Sequence, residues 1–217
     1  MELLADEISL PEGTVRIGLF PGSFNPPHAG HVNLAARSKS LAGIDRVLFY
    51  VNSFNDAKRN QLVSIVHRRS MLRLMIDPSY MSIIPEEFYQ EAPEDAWISG
   101  AYSFSPLVER LRRHWPPNHE LWMLRGADYF TRSDGHAATY PRELWHLPHV
   151  VGTRGLNPDD LDLTMLSQSI CVETLMLSSS ALRGQFDRRN SACDGIDPRL
   201  LAYADRHLLY RERVTPA

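Results

Sequence analysis

Two segments carry the residues best suited to chemistry. The first reads Gly22-Ser23-Phe24-Asn25-Pro26-Pro27-His28-Ala29-Gly30-His31. Its histidines are three positions apart, so on the first turn of a helix beginning near Ala29 both imidazoles project from one face. Gly30 between them has no side chain, which lets a phosphate or a flat ligand come close to the backbone. The second segment reads Leu177-Ser178-Ser179-Ser180-Ala181-Leu182-Arg183. Serines ahead of a helix satisfy its free N–H groups, and those N–H groups can instead receive a phosphate. Arg183 adds a planar, permanently charged set of donors. By spacing alone, each segment also has an ordinary reading: a helix cap, a solvated or metal-binding histidine pair, an exposed arginine.

The surrounding elements favour a site. Residues 15–20 form an apolar, branched stretch that ends in the Pro and Gly punctuation of the first segment, as a buried strand feeding a shaped loop does. Helical spacing follows up to Gly43, then a second apolar strand at 47–51. The pattern predicts helices over 67–76 and 106–114, and strands over 121–124, 149–153 and 170–175. Such alternation, with nearly continuous apolar strands, predicts an α/β fold: a Rossmann-like, doubly wound parallel sheet with helices on both faces. In such sheets ligands collect beyond the carboxyl ends of the strands, where helix N-termini present free N–H groups. Residues 85–95 and 157–163 read as peripheral loops, with Phe88, Tyr89 and Trp97 suggesting that part of the first one packs.

Composition narrows the ligand. A chain of 217 residues, 43% hydrophobic, suits one domain, with residues 1–14 an extension and 178–217 a helical C-terminal part. A net charge of -3 supplies no general field for a nucleic-acid backbone, so an anion must be gripped locally. Cys171 and Cys193 lack the spacing of a metal site or a disulfide framework, which fits reduced thiols in a cytoplasm. Neither a signal-peptide pattern nor an apolar run of membrane-spanning length is present, so a soluble, unprocessed protein is expected.

The complete first segment resembles the GxFNPxHxGH signature of the HxGH nucleotidylyltransferases, and its Asn-Pro-Pro-His form is similar to nicotinate-nucleotide adenylyltransferases. The second segment resembles that family's ISSTxIR motif, with Leu177, Ser180 and Leu182 as mild exchanges. The likeness runs from Val15 to the closing helix at 198–210. It implies adenylyl transfer from ATP to nicotinate mononucleotide in NAD biosynthesis, with magnesium accompanying ATP and no dedicated protein metal site. By resemblance, His28, His31 and Arg183 are catalytic. Gly22, Ser23, Phe24, Gly30, Gly126, Asp128, Ser179 and Ser180 bind ATP, with Asp128 on ribose hydroxyls. Asn25, Lys58, Tyr102, Ser103, Tyr140 and Arg154 bind the mononucleotide, Tyr140 as the platform for the pyridine ring and Trp145 as a second choice for it. His67-Arg68 with Met71-Leu72 resembles the family's HRxxML stretch and reads as structural packing.

Several positions depart from the pattern. Asn55, Asp56 and Ala57 replace a Pro-Pro-His turn, leaving Lys58 or Arg59 to share the phosphate contact. Ser105 and Pro106 stand where the family carries Asp and Thr, and Gly155 stands in place of a proline after Arg154. Arg125 replaces a small or apolar residue, so it either points outward or adds charge near the ligand. Nicotinamide mononucleotide or another phosphate-bearing acceptor such as pantetheine phosphate, and a nucleotide-sensing module without turnover, are the competing readings. Small-molecule partners are expected, without nucleic acid or membrane; homo-oligomer formation stays open.

Overall fold

The computed structural model describes residues 10, 12–52, 62–85, 88, 105–115, 118–131, 142–187 and 196–210. Lys58, Arg59, Tyr102, Ser103 and Tyr140 lie outside the described residues, as do Cys193 and most of 85–95.

Strands β1 (Arg16–Gly22), β2 (Arg46–Val51), β3 (Met81–Ile83), β4 (Glu120–Gly126), β5 (Pro148–Gly152) and β6 (Gln168–Val172) form one sheet in the order β3-β2-β1-β4-β5-β6. Every pairing is parallel. The chain leaves β1 in one direction for β2 and returns to its other side for β4, so the strand order reverses between β1 and β4 and opens a crevice at their carboxyl ends. Helices α1 (Ala29–Ala42), α2 (Ile65–Arg73), α3 (Ser105–His114), α4 (Ser179–Asp187) and α5 (Pro198–Arg206) complete the described elements.

Alternation along the strands sends side chains to two separate cores. Leu19, Tyr50, Leu121, Met123 and Val151 join Leu107 and Leu111 of α3 on one face. Phe20, Phe49, Trp122, Leu124 and Val150 join Leu34 and Ala35 of α1 on the other. A third, smaller cluster of Met71, Leu182, Ile196 and Leu200 attaches α4 and α5 to α2. The two-faced sheet expected from the sequence is therefore present.

Boundaries differ in instructive places. The last strand spans Gln168–Val172 rather than 170–175, because as an edge strand it pairs only with β5, whose five residues end at Gly152. Residues 173–178 instead carry the chain back across the sheet edge to α4. The second helix runs from Ile65 to Arg73, not 67–76, since the Ser64 side chain accepts from the His67 N–H and starts it earlier. The closing helix stops at Arg206; left-handed Leu208 and Tyr210 then fold the tail back. Strand β3 was not expected. Residues 157–163 are loop apart from a single 3-10 turn, Pro158–Asp160. Phe88 is buried in the α3-side core, as the packing suggestion for its segment requires.

One side chain ties these parts to the crevice. Arg68 of α2 is 1% exposed. It donates to the carbonyl oxygens of Val63 at 2.9 Å, Ser23 at 2.6 Å and Asn52 at 2.7 Å. The structural reading of the His67-Arg68 stretch thus holds, with the added feature that Arg68 reaches the loop after β1. Buried bonds from a charged donor to three carbonyls cannot be replaced by an aliphatic side chain, so Arg68→Met should lose about 3 kcal/mol or more of stability. Urea unfolding measures this, and a loss below about 1 kcal/mol, the size of one ordinary net hydrogen bond, would contradict the assignment.

Candidate active site

The crevice between β1 and β4 is lined by Gly22, Ser23, Phe24, Asn25, His28 and His31 from the first segment, and by Ser178, Ser179, Ser180 and Arg183 from the second. Two stretches about 150 residues apart thus face one cleft. Phe20, Pro21, Arg125, Gly126, Asp128, Tyr129 and Arg154 complete it.

The loop after β1 is held from behind. Gly22 O accepts from the Asn52 N–H, Ser23 O from Arg68, Asn25 O from Arg183 at 2.7 Å, and Pro26 O from the Ser179 hydroxyl at 2.8 Å. Each occupied carbonyl is one that no longer repels an incoming anion. Within the loop Phe24 has φ 48, a left-handed conformation costing about 1–2 kcal/mol for a residue with a side chain. Its ring covers Gly22, where a Cβ would lie 2.8 Å from it, so only glycine fits beneath. Asn25 turns its side-chain oxygen to the Val63 N–H and the Tyr210 hydroxyl, at 3.2 and 3.1 Å. That oxygen serves to bind loop, α2 and tail together.

His28 caps α1 and is 1% exposed; His31 is 9% exposed. Their rings stack with centroids 3.7 Å apart. His31 also packs edge-on against Phe24, at 4.9 Å. His31 is therefore a well-packed ring, drawn by the turn against the aromatic residues above the α1-side core. The His28 N–H donates to His31 Nδ1 at 3.1 Å, so a neutral His31 holds its proton on Nε2. Burial, and to a lesser degree the Arg154 guanidinium, lowers the His28 pKa to about 3. Burial, then His28, then Arg154 hold His31 well below the usual imidazole range. Both rings are neutral at physiological pH. His28 Nδ1 is buried with no hydrogen-bond partner among the described residues. Such a nitrogen costs about 1–3 kcal/mol, which packing alone does not justify.

The space that a Cβ at Gly30 would need is already taken by the protein. A Cβ there would meet His28 Nδ1 at 3.0 Å and the Leu175 carbonyl at 3.4 Å, and Gly30 does not line the cleft. Arg183 spans Asn25 O and Ser180 Oγ, the latter at 3.1 Å, and Ser178 Oγ accepts from the Ala181 N–H to cap α4. Asp128, in the 3-10 turn after β4, lies 3.4 Å from Arg154. Trp145, the second choice for the pyridine platform, packs against the α3-side core and is not part of the cleft lining.

Sequence reasoning missed Tyr129 and the Tyr210 tie, whereas the capping serine it expected ahead of α4 is Ser178. It left Arg125 undecided between two orientations. Arg125 is 3% exposed and lines the cleft, so the outward orientation is excluded. The charge on the lining is lopsided: Arg125, Arg154 and Arg183 face a single carboxylate, Asp128, in a chain of net charge -3. Local cations of this density select an anionic ligand. Among the described residues no group of three or more His, Cys, Asp or Glu gathers as a metal site, and no helix is long and apolar enough to cross a membrane.

Known proteins share both sequence and architecture with this chain. A "Probable nicotinate-nucleotide adenylyltransferase" of Dechloromonas aromatica is 27% identical over 90% of this chain and 97% of its own length. The nicotinate-nucleotide adenylyltransferase of Bacillus subtilis is 34% identical over 52% of this chain and 56% of its own, so that match spans about half of each protein. In fold, the chain is similar to the Plasmodium falciparum nicotinic acid mononucleotide adenylyltransferase complexed with NaAD, with TM-score 0.67, 17% identity, and coverage of 90% of this chain and 97% of that one. The cytidylyltransferase-like family model matches residues 19–183, from inside β1 to the arginine of α4 and hence both walls of the cleft, and the chain belongs to that family.

Proposed function

We propose that this protein transfers the adenylyl group of ATP to nicotinate mononucleotide, forming the deamido-NAD dinucleotide and pyrophosphate. The observation that carries the reading is the convergence of residues 22–31 and 178–183 on one cation-rich cleft at the strand-order reversal. The relatives named for this activity supply the acceptor. A sensing module without turnover fits less well, because a buried His28 nitrogen without a partner and a left-handed Phe24 are costs that catalytic geometry explains.

In the reaction a 5'-phosphate oxygen of the mononucleotide forms a bond to the α-phosphorus of ATP. The bond from that phosphorus to the bridging oxygen breaks, and its electron pair leaves with pyrophosphate. No covalent enzyme intermediate and no proton transfer are needed, so the protein acts by alignment and charge stabilisation. His31 Nε2–H and the Arg183 guanidinium act on the charge growing on the leaving group. Ser179, Ser180 and the N–H groups opening α4 hold the outer phosphates, while Gly22, Ser23, Phe24 and Gly126 shape the ATP cleft and Asp128 takes ribose hydroxyls. Arg154, with Lys58, Tyr102, Ser103 and Tyr140, serves the mononucleotide. Magnesium enters as part of the MgATP substrate; a cleft with one carboxylate, already beside an arginine, suits an ion held by phosphates and water.

Neutral imidazoles suit this role, since two stacked cations would repel each other and need solvent that the site excludes. Replacing His31 by asparagine removes the Nε2–H donor, and kcat for pyrophosphate release from ATP and nicotinate mononucleotide should fall about 10²–10³-fold. Unchanged turnover in His31→Asn would sink the role given to that nitrogen.

The low pKa values also set the pH dependence of stability. Above pH 6.5, the ordinary imidazole value, His28 is neutral whether folded or unfolded and contributes no slope. Between 6.5 and about 3 the unfolded chain takes up a proton that the native state refuses, so stability falls as pH falls. His31 and His149, the latter lowered to about 4 by burial, act in the same direction. Each contributes up to about 1.4 kcal/mol per pH unit within its window. Urea midpoints at pH 7.5, 6 and 5 should decline steeply below 6.5, and less steeply in His28→Asn. Equal slopes in the two proteins would show that His28 is not held neutral.

A further inference from the structure

The two sheet faces divide the cleft. The histidines stack beside Phe20 and Phe24, on the α1 side. Arg125 shares strand parity with Leu121 and Met123, which belong to the opposite, α3-side core. Tyr129, packed against that same core, lies over the guanidinium at 5.0 Å. Arg125 is thus a buried cation at the carboxyl end of a central strand, held by an aromatic ring and lining the cleft from the face away from the cradle of His31, Ser179 and Arg183. Its neighbour His149 stays neutral and adds no second charge beneath it.

In-line displacement gives this placement a meaning. The attacking oxygen must approach the α-phosphorus from the side opposite the departing pyrophosphate. With the pyrophosphate in the α1–α4 cradle, the acceptor enters from the α3-side face, where Arg125 adds a buried cation to the Arg154 already assigned to the mononucleotide. We propose that Arg125 is a binding residue for the anionic acceptor, gripping a planar or tetrahedral oxyanion of the mononucleotide through its guanidinium fork. This rests on the adenylyl-transfer reading and goes beyond it by assigning the acceptor side of the cleft to a specific charge. Either of two groups on the same molecule, the pyridine carboxylate or the 5'-phosphate, has the oxygens such a fork takes.

The test compares wild type, Arg125→Met and Arg125→Lys in steady-state assays with MgATP and either nicotinate or nicotinamide mononucleotide, with thermal melting as the check on folding. The expected result is a rise of about tenfold or more in the KM for nicotinate mononucleotide in Arg125→Met, with the KM for ATP within about twofold of wild type. Arg125→Lys keeps the charge and loses the fork, so it should fall between the two, and it carries the test if the methionine variant does not fold. A selective loss of preference for nicotinate over nicotinamide identifies the carboxylate as the bound group. Parallel loss with both acceptors identifies the phosphate. An unchanged acceptor KM, or an effect confined to ATP, overturns the proposal. Calorimetric titration of nicotinate mononucleotide separates this from the reaction itself: binding that needs Arg125 in a protein that makes no dinucleotide would sink the proposed reaction and leave the acceptor site standing.

Discussion

The site depends on keeping a run of backbone carbonyls occupied. Between β1 and α1 the chain presents four carbonyl oxygens, those of Gly22, Ser23, Asn25 and Pro26, next to a cleft built for anions. Free carbonyls there would repel phosphate and would be poorly solvated. A backbone amide, two arginines and a serine hydroxyl take them instead, and the donors come from the residue that follows β2, from α2 and from α4. The loop is thereby fixed by three elements that share no sequence proximity with it. Once it is fixed, Phe24 tolerates a left-handed backbone, and the α1 N-terminus, where the His28 N–H meets His31 Nδ1 and the His31 N–H meets the His28 carbonyl, is aimed at the crevice.

Electrostatics and stability pull against each other around this loop. Neutral histidines stacked at 3.7 Å, a buried imidazole nitrogen without a partner and an arginine concentration opposed by one carboxylate all cost folding free energy. The compensation lies elsewhere, in two apolar cores on either face of the sheet and in the Arg68 network. An anionic ligand relieves the same cost on binding, which is a thermodynamic reason for such a cleft to prefer phosphates. The chain as a whole is slightly acidic, so the preference comes from placement and not from net charge.

How much of this could be read beforehand follows from what each feature depends on. The parallel sheet was legible because runs such as Val47–Phe49–Val51 and Leu121–Met123 are apolar whichever face they meet. Strand β3 was not, since three residues, Met81, Ser82 and Ile83, are too few to display a period. The end of β6 depends on where its only neighbour stops, which no local pattern encodes. In the site, His28, His31 and Arg183 were legible because each sits within a contiguous motif. Tyr210 was not: its hydroxyl meets Asn25 across 185 residues, and nothing about a tyrosine near the end of a helix announces that bond. Arg68 stood out as part of a motif, but its contacts are with backbone oxygens, which leave no side-chain signature. At Gly30 the sequence indicates a close approach and the structure shows His28 as one such neighbour, because a glycine records a close approach without recording what approaches.

The account requires the two distant segments to act as opposing walls for one polyphosphate. Hydrogen–deuterium exchange with and without saturating MgATP tests this directly. Slowed exchange is expected together in residues 22–31 and 178–187, with no change in the amides of β3 at the far edge of the sheet. Protection of one segment while the other exchanges as in the free protein would contradict the shared cradle.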